Sequence, residues 1–281
     1  MTIRRNIAVL ILSNLLIAAP VAAKPATAPG KLVNVNGITM HYQERGSGEP
    51  LLLLHGFGMC GFNDWAHVVD ALARNHRVIM PDLRGHGWST NPSNRFSMRQ
   101  SADDIRALLD QLGLRRVKAM GISAGGMTLL HLSIKHPERL ESMVLIGATN
   151  AFPQQARNRV RTMSFDTEST EMRGYLSACT SRGDDQARGL MKQMRGFANS
   201  YDDMNLTSAD LAKVRARTLI LHGDRDEFFP IDIPVTLYKA IPSAQLWVVP
   251  NGDHVPIHGH GPRNSFASPR TSSTVRRSNP R

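Results

Sequence analysis

From Val33 onward the chain alternates short apolar runs with longer amphipathic stretches. Val33 to Glu44 is interrupted at Asn36-Gly37, a pair that tolerates the positive φ of a two-residue hairpin turn, so this segment predicts an opening hairpin. Leu51-Leu54, Val78-Met80, Val117-Met120, Met143-Ile146, Thr218-Leu221 and Leu246-Val249 are short continuous runs, the pattern of strands buried on both faces. Helical stretches separate them, most clearly Ser97 to Leu112, where Ile105, Leu108, Leu109 and Leu112 share one face. Strand-helix alternation of this kind predicts an α/β fold, a mainly parallel sheet with helices on both faces. There are no internal repeats.

One segment breaks the rhythm. Residues 151–213 contain no strand run and are helical, charged and rich in methionine, at 163, 172, 191, 194 and 204. An insertion of this length between two strands predicts a helical cap over a site. Most of its methionines are expected to pack the cap's own small core, and some to face the site as a soft, adaptable wall. The core proper is then residues 24–150 and 214–260.

The two ends read differently. Arg4 and Arg5 precede an apolar stretch from Ile7 to Ala19, and Val21-Ala22-Ala23 follows before Lys24. This is the layout of a signal peptide over residues 1–23, so export to a periplasmic or secreted location is expected, with no membrane span after cleavage. The run is short for a span and is interrupted by Ser13, Asn14 and Pro20. The adjacent arginines leave a twin-arginine route open. At the other end, residues 261–281 contain only Phe266 and Val275 as sizeable apolar residues, too few for a buried helical face. That composition predicts a basic, disordered tail from about Pro262.

The 281-residue chain has a formal charge of +11 at pH 7. Arg4, Arg5, Arg263, Arg270, Arg276, Arg277 and Arg281 supply most of the excess, and the body carries no basic stripe interleaved with aromatics. Nucleic acid is therefore not an expected partner. Two cysteines, Cys60 and Cys179, are too few for a disulfide framework. Two buried thiols are the simpler reading, although export would permit one bridge.

Gly121-Ile122-Ser123-Ala124-Gly125 follows an apolar run directly and precedes the helical stretch Met127-Ile134. A nucleophilic serine needs its oxygen raised out of the sheet on a tight strand-to-helix turn, and the flanking glycines leave room for it. Its hydroxyl also needs an adjacent base, and that base needs a third group to fix its tautomer. His222-Gly223-Asp224-Arg225-Asp226 follows Thr218-Leu221, and Asn251-Gly252-Asp253-His254 follows Leu246-Val249. Nucleophile, acid and base thus stand in the order Ser, Asp, His, each after a strand. Asp224 competes with Asp226 as the acid, whereas Asp253 is poorly placed to orient its own neighbour. His55 and His86 belong to turns at strand ends, where structural hydrogen bonds are expected. His258 and His260 lack further ligands at zinc-like spacing and read as a solvated turn.

The chain resembles the α/β-hydrolase superfamily from about Val33 to His260, and within it the small serine esterases, enol-lactonases and cofactor-free perhydrolases. The resemblance rests on His55-Gly56-Phe57-Gly58, on Asp82-Leu83-Arg84-Gly85-His86-Gly87-Trp88-Ser89, on the turn at Ser123, and on His222 to Asp226 with Phe228-Phe229-Pro230. It implies an eight-stranded sheet with a cap, Ser123 as nucleophile, His254 as base and Asp226 rather than Asp224 as acid. The backbone N–H groups of Phe57 and Ala124 would form the oxyanion hole. Perhydrolase-like relatives tend to carry proline where this chain has Gly58, which counts against that activity. Relatives also follow the catalytic His with an amphipathic helix, whereas here Val255-Pro256-Ile257 leads into the basic tail. Either a basic appendage or a reading-frame shift near the end accounts for that departure.

The expected chemistry is serine-dependent hydrolysis of a small ester or lactone through an acyl-enzyme, with no metal and no organic cofactor. Phe152, Phe165, Tyr175, Phe197 and Tyr201 in the cap suggest a small to medium apolar group. Alternatives are an aminopeptidase or amidase of the same fold, a non-catalytic ligand-binding protein, or a damaged gene product.

Overall fold

Asn36 and Gly37, both at positive φ, reverse the chain between β1 (Lys31–Val35) and β2 (Ile38–Arg45), which form the expected hairpin. The computed structural model describes residues 30–258. The expected signal peptide and basic tail lie outside them, as does His260. Each later apolar run becomes a strand: β3 (Glu49–Leu54), β4 (His76–Pro81), β5 (Val117–Ile122), β6 (Leu140–Ile146), β7 (Arg217–Gly223) and β8 (Ala244–Val249). The eight strands form one sheet in the order β1-β2-β4-β3-β5-β6-β7-β8. Pairing is antiparallel at β1–β2 and β2–β4 and parallel from β4 to β8.

That order positions the site. β4 lies on one side of β3 and β5 on the other, so the winding of the sheet reverses there. A crevice opens outside the carboxyl ends of strands at such a switch point. The segments leaving β3 and β5 are His55–Gly58 and Ser123.

Two short helices, α1 (Gly61–Trp65) and α2 (Val69–Leu72), cover one face of the sheet, burying Trp65 and Val69 against Leu51, Leu53, Val78 and Met80. On the other face lie α3 (Met98–Gln111) and α4 (Ala124–Lys135). The helix predicted from Ser97 is α3: Ser97 Oγ accepts the Gln100 N–H at 3.0 Å, and Ile105, Leu108 and Leu109 are fully buried. Toward β8 the first face is thinner. Val255 and the turn Pro256–His258 pack there, and Trp247 on edge strand β8 is 59% exposed.

Between β6 and β7 the chain runs through α5 (Gln154–Thr162), α6 (Thr170–Ala178), α7 (Asp184–Gly196) and α8 (Ser208–Leu211). A last helix, α9 (Asp232–Ala240), joins β7 to β8. The insertion docks through specific contacts: Gln186 on α7 donates to the Gly85 and Gly87 carbonyls, and Ser181 N–H donates to the Gly87 carbonyl. Here the cysteine reading needs correction. Cys60 and Cys179 are not separate buried thiols but a disulfide, with their Cα atoms 5.1 Å apart, a spacing such a bridge requires. Their separation in sequence by 119 residues concealed the pairing. No helix among the described residues is long and apolar enough to cross a membrane.

Candidate active site

Ser123 sits between β5 and α4 with φ 48° and ψ −113°. A non-glycine residue there costs about 1–3 kcal/mol, and the surroundings must hold it in place. Ser123 N–H donates to the Ile146 carbonyl at 2.8 Å, and α4 starts at the next residue. The two flanking glycines are dictated by space. A Cβ on Gly121 would stand 2.6 Å from Gly125 C, and one on Gly125 would collide with the Leu54 carbonyl. The serine turn is thus wedged between β3 and its own helix, with Oγ directed to the carboxyl edge of the sheet.

Loops after β7 and β8 bring two further side chains to that oxygen. His254 Nε2 lies 3.0 Å from Ser123 Oγ, and His254 Nδ1 lies 2.8 Å from Asp226 Oδ2. With Nδ1–H donating to the carboxylate, Nε2 is left to accept the serine proton. Asp226 is 7% exposed, and its second oxygen accepts the Phe228 and Phe229 N–H groups at 2.7 and 3.0 Å. Burial works against the Asp226 carboxylate, but the charge and hydrogen bond of His254 and the Phe229 amide hold it below the usual range. Burial likewise opposes the His254 imidazolium, yet the charge and hydrogen bond of Asp226, helped by Glu227 and Asp253, hold the ring above the ordinary histidine value. Of the competing carboxylates, Asp224 is exposed beside Arg225, and Asp253 Oδ1 accepts the Val255 N–H. Asp226 is the one against His254.

Phe57 and Ala124 both line the cavity above Ser123. Ala124 opens α4, where helix geometry leaves the amide without an intrahelical partner. The direction of the Phe57 amide follows from its peptide partner. The Gly56 carbonyl accepts from His55 Nδ1 at 2.7 Å and from the Met59 N–H at 3.2 Å. In a trans peptide the Phe57 N–H points the opposite way. His55 Nε2 accepts the Leu83 N–H at 2.9 Å, and burial lowers the ring's pKa, which keeps it in the neutral form that both bonds need. His86, with Nδ1 against the Arg84 carbonyl, is pushed down by burial to about 3 and packs edge-on to the Phe57 ring at 4.7 Å. Both histidines fill the structural role expected from the sequence.

The cavity holds about 90 Å³ and is walled mainly by apolar groups. From the insertion come Phe152, Val160, Tyr175, Met194 and Phe197. Phe165 and Tyr201, also expected there, do not line it; Phe165 is buried in the core and Tyr201 is 64% exposed. Of the insertion's methionines only Met194 faces the cavity, while Met163, Met172, Met191 and Met204 are core. Met59, Met98 and Met127 supply the rest of the soft wall from outside the insertion, which the sequence reading missed. Three carboxylates are on the lining: Asp64 and Glu227, which it also missed, and Asp253, which it weighed only as a partner for His254. His258 is not in a solvated turn. It lines the cavity, its Nε2 donating to the Asp64 carbonyl at 3.1 Å.

Comparison with known proteins adds to this geometry. The family model described as alpha/beta hydrolase fold matches residues 49–174. A 2-hydroxymuconate semialdehyde hydrolase of Pseudomonas sp. (strain CF600) is 30% identical over 268 residues, covering 87% of this chain and 94% of that protein. The serine hydrolase BPHL of Homo sapiens is 29% identical over 245 residues, 84% of each chain. Among solved structures, a meta-cleavage product hydrolase from Pseudomonas fluorescens IP01 superposes with a TM-score of 0.63 at 25% identity, over 80% of this chain and 90% of that one.

Proposed function

This chain belongs to the α/β-hydrolase family, and we propose that it is a serine hydrolase acting on carboxylic esters or lactones through Ser123, His254 and Asp226. The observation that carries the reading is the relay from Asp226 through His254 to Ser123, at 2.8 and 3.0 Å, opening on an apolar cavity. Ser123 Oγ attacks the acyl carbon as His254 Nε2 takes its proton. The Phe57 and Ala124 amides receive the oxyanion, each such donor contributing roughly 3 kcal/mol to lowering the barrier. His254 returns the proton to the leaving oxygen, and water, activated by the same ring, releases the acid from Ser123.

The lining supports an uncharged acyl group. None of the described residues around the cavity is Lys or Arg, while Asp64, Glu227 and Asp253 are acidic. A carboxylate-bearing substrate, such as the name of the Pseudomonas relative indicates for that protein, would meet like charges here. The same three carboxylates favour one second reading, an aminoacyl ester or amide whose ammonium group they would attract. The Cys60–Cys179 disulfide supports export, since such bridges persist in oxidising compartments.

Steady-state turnover of matched butyryl, succinyl and aminobutyryl nitrophenyl esters tests the proposal. The butyryl ester is the expected best substrate. A dominant aminobutyryl rate would favour the second reading, and no turnover of any ester by folded protein would overturn both.

A further inference from the structure

Asp64, on α1, is 2% exposed and takes no part in the relay just described. A carboxylate is costly to bury, so its partners disclose what holds it there. Oδ2 accepts the Gly56 N–H at 2.7 Å. Gly56 immediately precedes Phe57, and its carbonyl is already held by His55 and the Met59 amide. Asp64 therefore fixes the peptide unit before Gly56, as His55 and Met59 fix the one after it. Together they leave the Phe57 amide a single direction.

The same residue reaches the other half of the site. His258 Nε2 donates to the Asp64 carbonyl at 3.1 Å and stands 3.6 Å from Oδ1, while the His67 ring packs edge-on against His258 at 4.8 Å. His258 closes the short turn that follows His254. The junction borders the nucleophile: a Cβ on Gly56 would make ordinary contact with both Asp64 Oδ2, at 3.5 Å, and Ser123 Cβ, at 3.8 Å. One buried residue thus ties the oxyanion segment after β3, through its carboxylate, to the base-bearing segment after β8, through its main-chain carbonyl.

We infer that Asp64 is a positioning residue of the proposed hydrolysis, holding the Phe57 amide and the His254 segment in register with Ser123 through Gly56 and His258. The inference rests on the reading of Ser123 as nucleophile. Donors that are fixed before reaction act on the transition state far more than on the bound ester. Losing the tie should therefore lower kcat and leave KM nearly unchanged.

The test compares wild type with Asp64→Ala, Asp64→Asn and His258→Ala, by nitrophenyl butyrate kinetics, thermal unfolding and fluorophosphonate labelling. Asp64→Ala should lower kcat roughly 100-fold with KM within about threefold. Asp64→Asn keeps an oxygen acceptor for Gly56 and should recover about tenfold of that loss. His258→Ala leaves the carboxylate in place and should lower kcat about tenfold, which decides the matter should Asp64→Ala fail to fold. A kcat within twofold of wild type in the folded variants, a loss confined to KM, or a folded Asp64→Asn as impaired as Asp64→Ala would overturn the inference. Wild type that neither labels at Ser123 nor turns over ester would instead overturn the reading beneath it.

Discussion

Cys60 and Cys179 are joined across the boundary between sheet and insertion, so that α6 is pinned to the segment carrying Phe57. Tyr175 on the same helix lines the cavity, and its hydroxyl donates to the Asn63 carbonyl at 3.4 Å. The loop closed by the bridge spans 119 residues, long enough that unfolded-chain entropy gives it a substantial stabilising effect. Replacing both cysteines by serine should lower the unfolding free energy by about 2–5 kcal/mol in urea. Mass spectrometry of the denatured, unreduced protein should find no alkylatable thiol.

Met191 and Met194 separate packing from selectivity. Met194 lines the cavity, whereas Met191 is 3% exposed within the core. Met194→Ala should shift the preferred acyl chain to a longer one with little loss of stability. Met191→Ala should leave the chain-length profile alone and cost about 2–5 kcal/mol. A reversal of these outcomes, read from an ester series and urea unfolding, would show the wall is assigned to the wrong residue.

His254 must be neutral to accept the Ser123 proton. Its pKa is raised, by Asp226 above all, against the opposing effect of burial. Activity should therefore fall as pH drops, with the acid limb of kcat/KM centred above the ordinary histidine value of about 6.5. Asp226→Asn should lower kcat by roughly 10⁴ through loss of the correct tautomer. Asp224→Asn should lower it less than about twofold, since that exposed side chain stands outside the relay.

Glu227 lines the cavity, and burial raises its carboxyl above the usual range, a sign that its charge is poorly solvated there. At pH 8 Glu227→Gln should improve the succinyl ester relative to the butyryl ester by roughly tenfold in kcat/KM. An unchanged ratio would remove Glu227 from the determinants of charge selectivity.

Six strands were legible because buried parallel strands write themselves as short apolar runs, β1 and β2 because Asn36-Gly37 marks a hairpin turn, and Ser123, Asp226 and His254 because each follows an apolar run. Local sequence does not show what tertiary packing brings together. Asp64 lies on a five-residue helix with no motif around it, and its meeting with Gly56 and His258 depends on how α1 and the segment after β8 pack. The same holds for Cys60 with Cys179, and for Met59, Met98 and Met127, whose apolar character predicted burial but not a cavity wall. Most of the insertion's methionines pack in the core and Met194 faces the cavity, the division expected, but nothing in the local sequence marked Met194 as the one on the wall.

The most direct measurement is peptide mapping after treatment of the folded protein with a fluorophosphonate. A single adduct is expected on the peptide containing Ser123, formed at a rate that falls with His254→Ala and absent in Ser123→Ala. An adduct on another serine, or none on protein that still hydrolyses esters, would contradict Ser123 as the nucleophile.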